Sequence, residues 1–302
     1  MVILKILLVT NKLYRGNLDN GWLHFYLPLK EMGYEVEFFD TTSKDDNLLK
    51  KVEDQKTDFV FCCLTGDKTI APYEPWEELK YLTEKGNRIV FNWFCDDTWR
   101  YETFSKKAAN HFTHYSTPEP SYVEKYKKDG LTNVILMNWH CNLSFFEKMA
   151  KPDRIYDISF IGYLNQHRKA FIEKSNIPVN TFSGLTHDEL ILKHLQTKIG
   201  LNLSINYNDI EKKTQMKLRM FEVPAAGGLL LTQHHDGIEQ FYEIDKEIIT
   251  FKNSYEYNEK LKFLLRNENI VKKISQNGYS RFLREHESKK RLSSLINQIY
   301  GK

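Results

Sequence analysis

"KLRMFEVPAAGGLLLT", Lys217–Thr232, packs a helix, a break and a strand into one short run. Arg219 and Glu222 stand three residues apart, so a helix carries them on one face. Pro224 lacks an N–H and kinks or ends that helix. Ala225, Ala226, Gly227 and Gly228 then let backbone pass close to a neighbouring element. The leucines that follow show no apolar–polar alternation. A short apolar run of this kind is a strand covered on both faces, the kind found in parallel sheets flanked by helices. The spacing places the start of the helix near Thr214, a suitable N-cap, with Lys217 in the first turn. Free N–H groups and the dipole at such an end favour an anion, for example a diphosphate.

The same grammar extends in both directions. Upstream, "VILKILLVT", "YEVEFFD", "DFVFCCL", "RIVFNWF", "HFTHYS" and "NVILMNW" read as strands, separated by helix-length stretches such as "GWLHFYLPLKEMG" and "YEPWEELKYLTEKG". The period lapses over "CNLSFFEKMAKPDR", which reads as a linker. Alternation then restarts with "DISFIGY", a helix from about Gln166, "VNTFSG", "HDELILKHLQ" and "KIGLNLS", and continues past the opening stretch to "EIITF" and two or three terminal helices. The expected fold is therefore α/β, with two Rossmann-like doubly wound parallel sheets facing a cleft. The domains are expected at residues 1–150 and 151–302, with the last helix packing back on the first. Ligands of such sheets bind beyond the C-terminal ends of the strands, so candidate residues are sought there.

Composition narrows the function classes. The 302 residues are 41% hydrophobic, 27% charged and 14% aromatic, with a formal net charge of +3. That small surplus permits an anionic ligand and gives no basic coat for nucleic acid. The cysteines, Cys62, Cys63, Cys95 and Cys141, form no C-x-x-C pair, and the adjacent Cys62 and Cys63 read as buried strand residues. No apolar run is long enough to span a membrane, and "VILKILLV" reads as a strand rather than a signal peptide. A cytoplasmic protein is expected. No G-x-G-x-x-G, no G-x-x-x-x-G-K-[ST], no G-x-S-x-G and no H-E-x-x-H occurs, which argues against plain NAD chemistry, a P-loop and a serine or zinc hydrolase.

Several residues stand at strand ends. Asp96 and Asp97 follow "RIVFNWF"; either suits a general base on an acceptor hydroxyl, a divalent metal ligand, or, for Asp97, the N-cap of the next helix. His234 and His235 follow "GLLLT" and reach either a donor or solvent. Gly16 lies in the long loop after the first strand, as a cleft contact or a plain Gly/Asn turn. His24 falls one residue off the apolar stripe of its helix and is expected at the cleft on the acceptor side. Glu222 can accept two hydroxyl hydrogen bonds, as a ribose diol offers, and Arg219 can donate to phosphate in fixed geometry; a surface Arg/Glu pair before a helix-ending Gly-Gly is the simpler alternative.

"KLRMFEVPAAGGLLLT", then "DGIEQFYEIDKEIITF", then "NGYSRFLREHE", preceded by "DISFIGYLNQHR", resembles the C-terminal half of CgeB-like glycosyltransferases. "VFNWFCDDTW" resembles an aspartate-bearing strand end in their N-terminal half. The resemblance covers about 155–287 well and the first half loosely. It implies a GT-B fold and a nucleotide-diphosphate sugar donor, with UDP first. Glu222 would hold the ribose. Lys217, Arg219 and Arg168, after the Gly162–Tyr163 turn, would face the diphosphate. Asp236 and Gly237 would open a short helix facing sugar or diphosphate, with Glu239 and His234 nearby. In retaining relatives a second acid lies earlier, at a position that is Thr214 here. The function expected is metal-independent sugar transfer, without cofactor, to an unidentified hydroxyl acceptor: a glycan, protein or small molecule, with nucleic acid also open. A non-catalytic nucleotide- or glycan-binding module and a nucleotide-sugar epimerase are the alternatives.

Overall fold

The computed structural model describes residues 4–44, 47–206 and 213–301. Its strands, in chain order, are β1 (Lys5–Thr10), β2 (Leu13–Tyr14), β3 (Asn17–Leu18), β4 (Glu35–Asp40), β5 (Phe59–Cys62), β6 (Ile89–Trp93), β7 (His114–Thr117), β8 (Val134–Leu136), β9 (Tyr156–Ile161), β10 (Asn180–Phe182), β11 (Thr197–Asn202), β12 (Leu229–Gln233) and β13 (Ile249–Phe251). Two sheets carry the architecture, one of six strands in the order β4-β1-β5-β6-β7-β8 and one of five in the order β10-β9-β11-β12-β13. Every pairing within them is parallel. Helices between successive strands cover the faces, so the apolar runs are buried on both sides, as in Leu229, Leu230 and Leu231.

Chain packing forms two units, Met1–Asn138 with Arg291–Lys302, and Trp139–Lys290. The terminal helix Ser288–Tyr300 enters the first unit at Arg291, and its Tyr300 ring meets Phe59 edge-on at 6.3 Å. The stretch read as a linker is ordered. Cys141 forms a bridge with Glu287, Ser288 N donates to the Cys141 carbonyl at 3.1 Å, and residues Ser144–Glu147 form a helical turn. Pairing with a segment far along the chain leaves no periodicity in the sequence itself.

Each sheet has one point where the chain reverses its direction of travel. In the first it lies between β1 and β5, and in the second between β9 and β11. Loops leave opposite faces at such a point and open a crevice at the C-terminal strand ends. The loop after β1 is not irregular. It is a two-stranded hairpin, β2 paired with β3, turning through Arg15 and Gly16, both at positive φ (50° and 81°). Gly16 thus serves the turn. The helix after it opens as a wide π turn, Gly21–Tyr26, before becoming α-helical over Leu27–Glu31. The wider turn rotates His24 inward, where it is 3% exposed. The helical period had placed that imidazole at the cleft on the acceptor side; in the structure it is buried.

Among the described residues, no helix is long and apolar enough to cross a membrane.

Candidate functional site

The helix of the opening stretch runs Arg219–Ala225 and does not begin at Thr214. Residues just before it are taken by another partner. Asn206 N donates to the Lys213 carbonyl and Gln215 N to the Ser204 carbonyl, each at 3.0 Å, and Thr214 forms a bridge with Ile205. The Thr214 hydroxyl bonds His235 Nδ1 at 3.0 Å. Backbone groups committed to this pairing cannot enter a helix. Lys217 therefore precedes the helix rather than lying in its first turn. Pro224 sits in the last turn, and the helix ends one residue later.

The helix lies directly on β11. A methyl group at Gly200 would sit 2.3 Å from Val223 Cγ2, so the glycine in "KIGLNLS" is what admits the contact. That approach fixes Arg219. Its Nε donates to the Ile161 carbonyl at 2.5 Å and its Nη1 to Asn202 Oδ1 at 2.9 Å, and its guanidinium lies 4.3 Å from the Phe160 ring centre. Gly162 follows at φ 136°, and a methyl there would stand 2.2 Å from Arg219 Nη2. Gly162 thus leaves room for the guanidinium at the very end of β9.

Arg168 joins the same place. Its helix, Gln166–Glu173, is capped by Asn165, whose Oδ1 accepts from Arg168 N at 2.9 Å. The Arg168 Nη1 donates to the Tyr163 carbonyl at 2.7 Å, while its buried Nε has no hydrogen-bond partner among the described residues. Tyr163 itself is 72% exposed. Burial pushes the Arg168 guanidinium down. Burial, then the Arg168 charge, push Arg219 down to about 9, with Glu222 acting the other way. Arg219 stays charged at neutral pH and keeps part of its surface accessible. Two cations held by neutral oxygens, in surroundings that resist charge, form a candidate cradle for an anion.

Gly162, Tyr163, Arg168 and Arg219 are therefore brought together at the reversal point of the second sheet. Phe160, Asn165 and Asn202 were missed in the sequence; Asn202, a polar residue inside the apolar run "KIGLNLS", was the available signal. Glu222 is near enough to Arg219 to favour its charged form, but it also meets a second partner. It is 8% exposed, and its Oε2 lies 3.6 Å from Nε2 of the buried His194. His234, Asp236 and Glu239 gather at the end of β12, with His234 Nε2 3.6 Å from Asp236 and 3.9 Å from Glu239. Gly237, at φ 89°, opens the short 3-10 helix Ile238–Gln240 there.

In the first unit, Asp96 and Asp97 have separate fates. Asp97 is fully buried, and Tyr126 Oη donates to both its oxygens at 3.3 and 3.2 Å, with Ser105 and Thr117 also bonding it. Burial raises its carboxyl to about 6 against those hydrogen bonds. Asp96 occupies the N-cap position of the helix Asp97–Arg100 without a side-chain capping bond. Asp96 is half-buried, and the Cys95 thiol lies 3.6 Å from its Oδ2.

A family model described as glycosyl transferase-like matches residues 145–297. No curated protein matches the sequence. Among solved structures, a glycosyltransferase from Rickettsia africae superposes with a TM-score of 0.68 at 11% identity, over 99% of this chain and 98% of that one. HepE from Anabaena, in complex with UDP and glucose, gives 0.66 at 10% identity over 99% and 100%. A UDP-N-acetylglucosamine 2-epimerase from Listeria monocytogenes gives 0.57 at 9% identity over 100% and 98%. The fold shared with the two transferases is GT-B.

Proposed function

Because the chain belongs to the glycosyl transferase-like family, we propose that it transfers a sugar from a nucleotide-diphosphate sugar, UDP-linked first, to a hydroxyl of its acceptor. The observation that carries this reading is the pair of desolvated guanidiniums, Arg168 and Arg219, resting on neutral oxygens at the end of β9. A diphosphate relieves their mutual repulsion when it binds. Negative charge grows on the leaving diphosphate as the glycosidic bond breaks, so the same pair stabilises the transition state more than the ground state. Fixed positive charge supplies what a metal ion supplies elsewhere, which makes the reaction metal-independent in this reading. Tyr163 offers an exposed ring beside the cradle, and Lys217, His234, Asp236, Gly237 and Glu239 belong to the donor side.

Glu222 is assigned to the ribose diol, following the resemblance to CgeB-like enzymes. Asp96 is assigned as the base that takes the acceptor proton, since Asp97 already holds three hydroxyl partners. The protein is taken as cytoplasmic. Calorimetric titration with UDP, GDP, dTDP and CDP tests the donor assignment. UDP is expected to bind and the others to bind at least about tenfold more weakly; binding by none of them overturns the proposal. Turnover is expected to survive EDTA, and an absolute requirement for added Mn²⁺ would remove the metal-free mechanism.

A second reading, epimerisation of the nucleotide sugar, is favoured by the fold shared with the Listeria epimerase. Incubation with UDP-N-acetylglucosamine and no acceptor separates the two: an epimerase changes the sugar, whereas a transferase leaves it intact or releases it slowly to water. A non-catalytic binding module does neither.

A further inference from the structure

The second unit contains a cavity of about 360 Å³ at the opposite end of its sheet from the cradle. Its wall includes Arg154, two residues before β9, Leu195, two before β11, and Ala225–Gly227, just before β12. These are the N-terminal strand ends, whereas the cradle is built on the C-terminal ones. One helix, Arg219–Ala225, contributes its first residue to the cradle and its last to the cavity wall.

The chemistry of the wall is divided. Leu143, Phe146, Leu195 and the ring of Tyr279 give it an apolar side. Arg154 and Lys151 give it a cationic side. Arg154 donates from Nη1 to the Thr197 carbonyl and from Nη2 to the Ala226 carbonyl at 2.6 Å, so two of its donors hold the end of the helix in place. A guanidinium has five N–H donors, which leaves three. Among the described residues neither Arg154 nor Lys151 forms an ion pair with a carboxylate. Burial holds the Arg154 guanidinium below its usual range, so the site already carries the cost of desolvating a cation. The one acid of the lining, Glu147, is exposed and lies close enough to Tyr279 to help raise its hydroxyl, after burial.

We propose that this cavity is a second ligand site, taking a small organic acid with an apolar body. Its carboxylate meets Arg154 and Lys151, and its aromatic or branched aliphatic part fills the space among Leu143, Phe146 and Leu195. The volume suits a ligand of this size, and apolar pockets with a few convergent polar groups are the usual form of small-molecule sites. A purely phosphate-binding site needs no apolar wall, and a purely apolar one does not place two cations on its border.

Phenylacetate is the probe, with benzyl alcohol and inorganic phosphate as its two halves. The full chain, with leucine methyls labelled, is titrated by NMR. Phenylacetate is expected to shift Leu143 and Leu195, and to bind at least about tenfold more tightly than either half. Lys151→Glu is expected to weaken phenylacetate about tenfold, and Leu143→Trp to abolish its binding by filling the space, with melting temperature unchanged for Lys151→Glu. Three results overturn the proposal: no shift at either leucine, phosphate binding as well as phenylacetate, or both variants binding phenylacetate like the parent chain. Because no nucleotide is used, these outcomes are independent of the donor assignment.

Discussion

The end of β9 and the end of β6 both place charge where a parallel sheet offers a binding site, yet they treat it in opposite ways. Arg168 and Arg219 are set on carbonyl and amide oxygens, and among the described residues neither forms an ion pair with a carboxylate. Asp97 is wrapped by Tyr126, Ser105 and Thr117 and has no surface left. Charge that a fold desolvates without neutralising is charge that a bound anion would offset. Charge that it surrounds with donors is part of the core. Asp96, next to the wrapped residue, is half-buried.

The contrast can be broken most sharply at Asp96. Asp96→Asn is expected to lower kcat about 10³-fold while leaving UDP affinity unchanged, the effect of losing a general base. Unchanged turnover would return β6 to a purely structural role. Arg219→Met is the corresponding test of the cradle: kcat/KM is expected to fall about 10²–10³-fold, together with weaker UDP binding by calorimetry, as for removal of a fixed donor at a site of developing charge.

Asp97→Asn tests the claim that one of the two charges is structural. A carboxyl raised from 3.8 to about 6 by burial binds its proton more tightly folded than unfolded. Its contribution therefore makes stability fall as pH rises from about 4 to about 6 and stay level above, with a total of about 3 kcal/mol. Urea unfolding across that window should show this slope in the parent chain and a shallower one in Asp97→Asn. Equal slopes would mean that the carboxyl is not desolvated.

Glu222 gives the smallest effect and the finest distinction. As a ribose ligand, Glu222→Gln weakens UDP about tenfold and leaves UMP and inorganic diphosphate in the order expected for loss of one sugar contact. As a partner of His194 alone, at 3.6 Å, it changes melting temperature and leaves UDP affinity untouched.

Much of the fold was written in apolar runs. Strand lengths, their burial on both faces and the helices between them follow from local hydrophobic pattern, and Gly86 and Asn47 mark helix ends as their chemistry requires. The residues of the candidate site could be named one by one: Gly162, Tyr163, Arg168 and Arg219 were all candidates. Their convergence was not legible, nor was the approach of Glu222 to His194, since i,i+3 spacing fixes a shared face and says nothing of what each side chain meets. Three features escaped the local pattern for one reason. The helix start moved from Thr214 to Arg219 because residues 204–206 claim the preceding backbone, the linker is ordered by Glu287, and His24 turns inward on a π turn.

The sequence by itself determined that this chain builds parallel sheets covered by helices, because hydrophobic period and turn chemistry act over a few residues. Only the tertiary structure decided which charges rest on neutral oxygens and which are wrapped by hydroxyl donors. Desolvation and hydrogen-bond satisfaction depend on partners such as Asn202 for Arg219, or Tyr126 for Asp97, that no local pattern brings together.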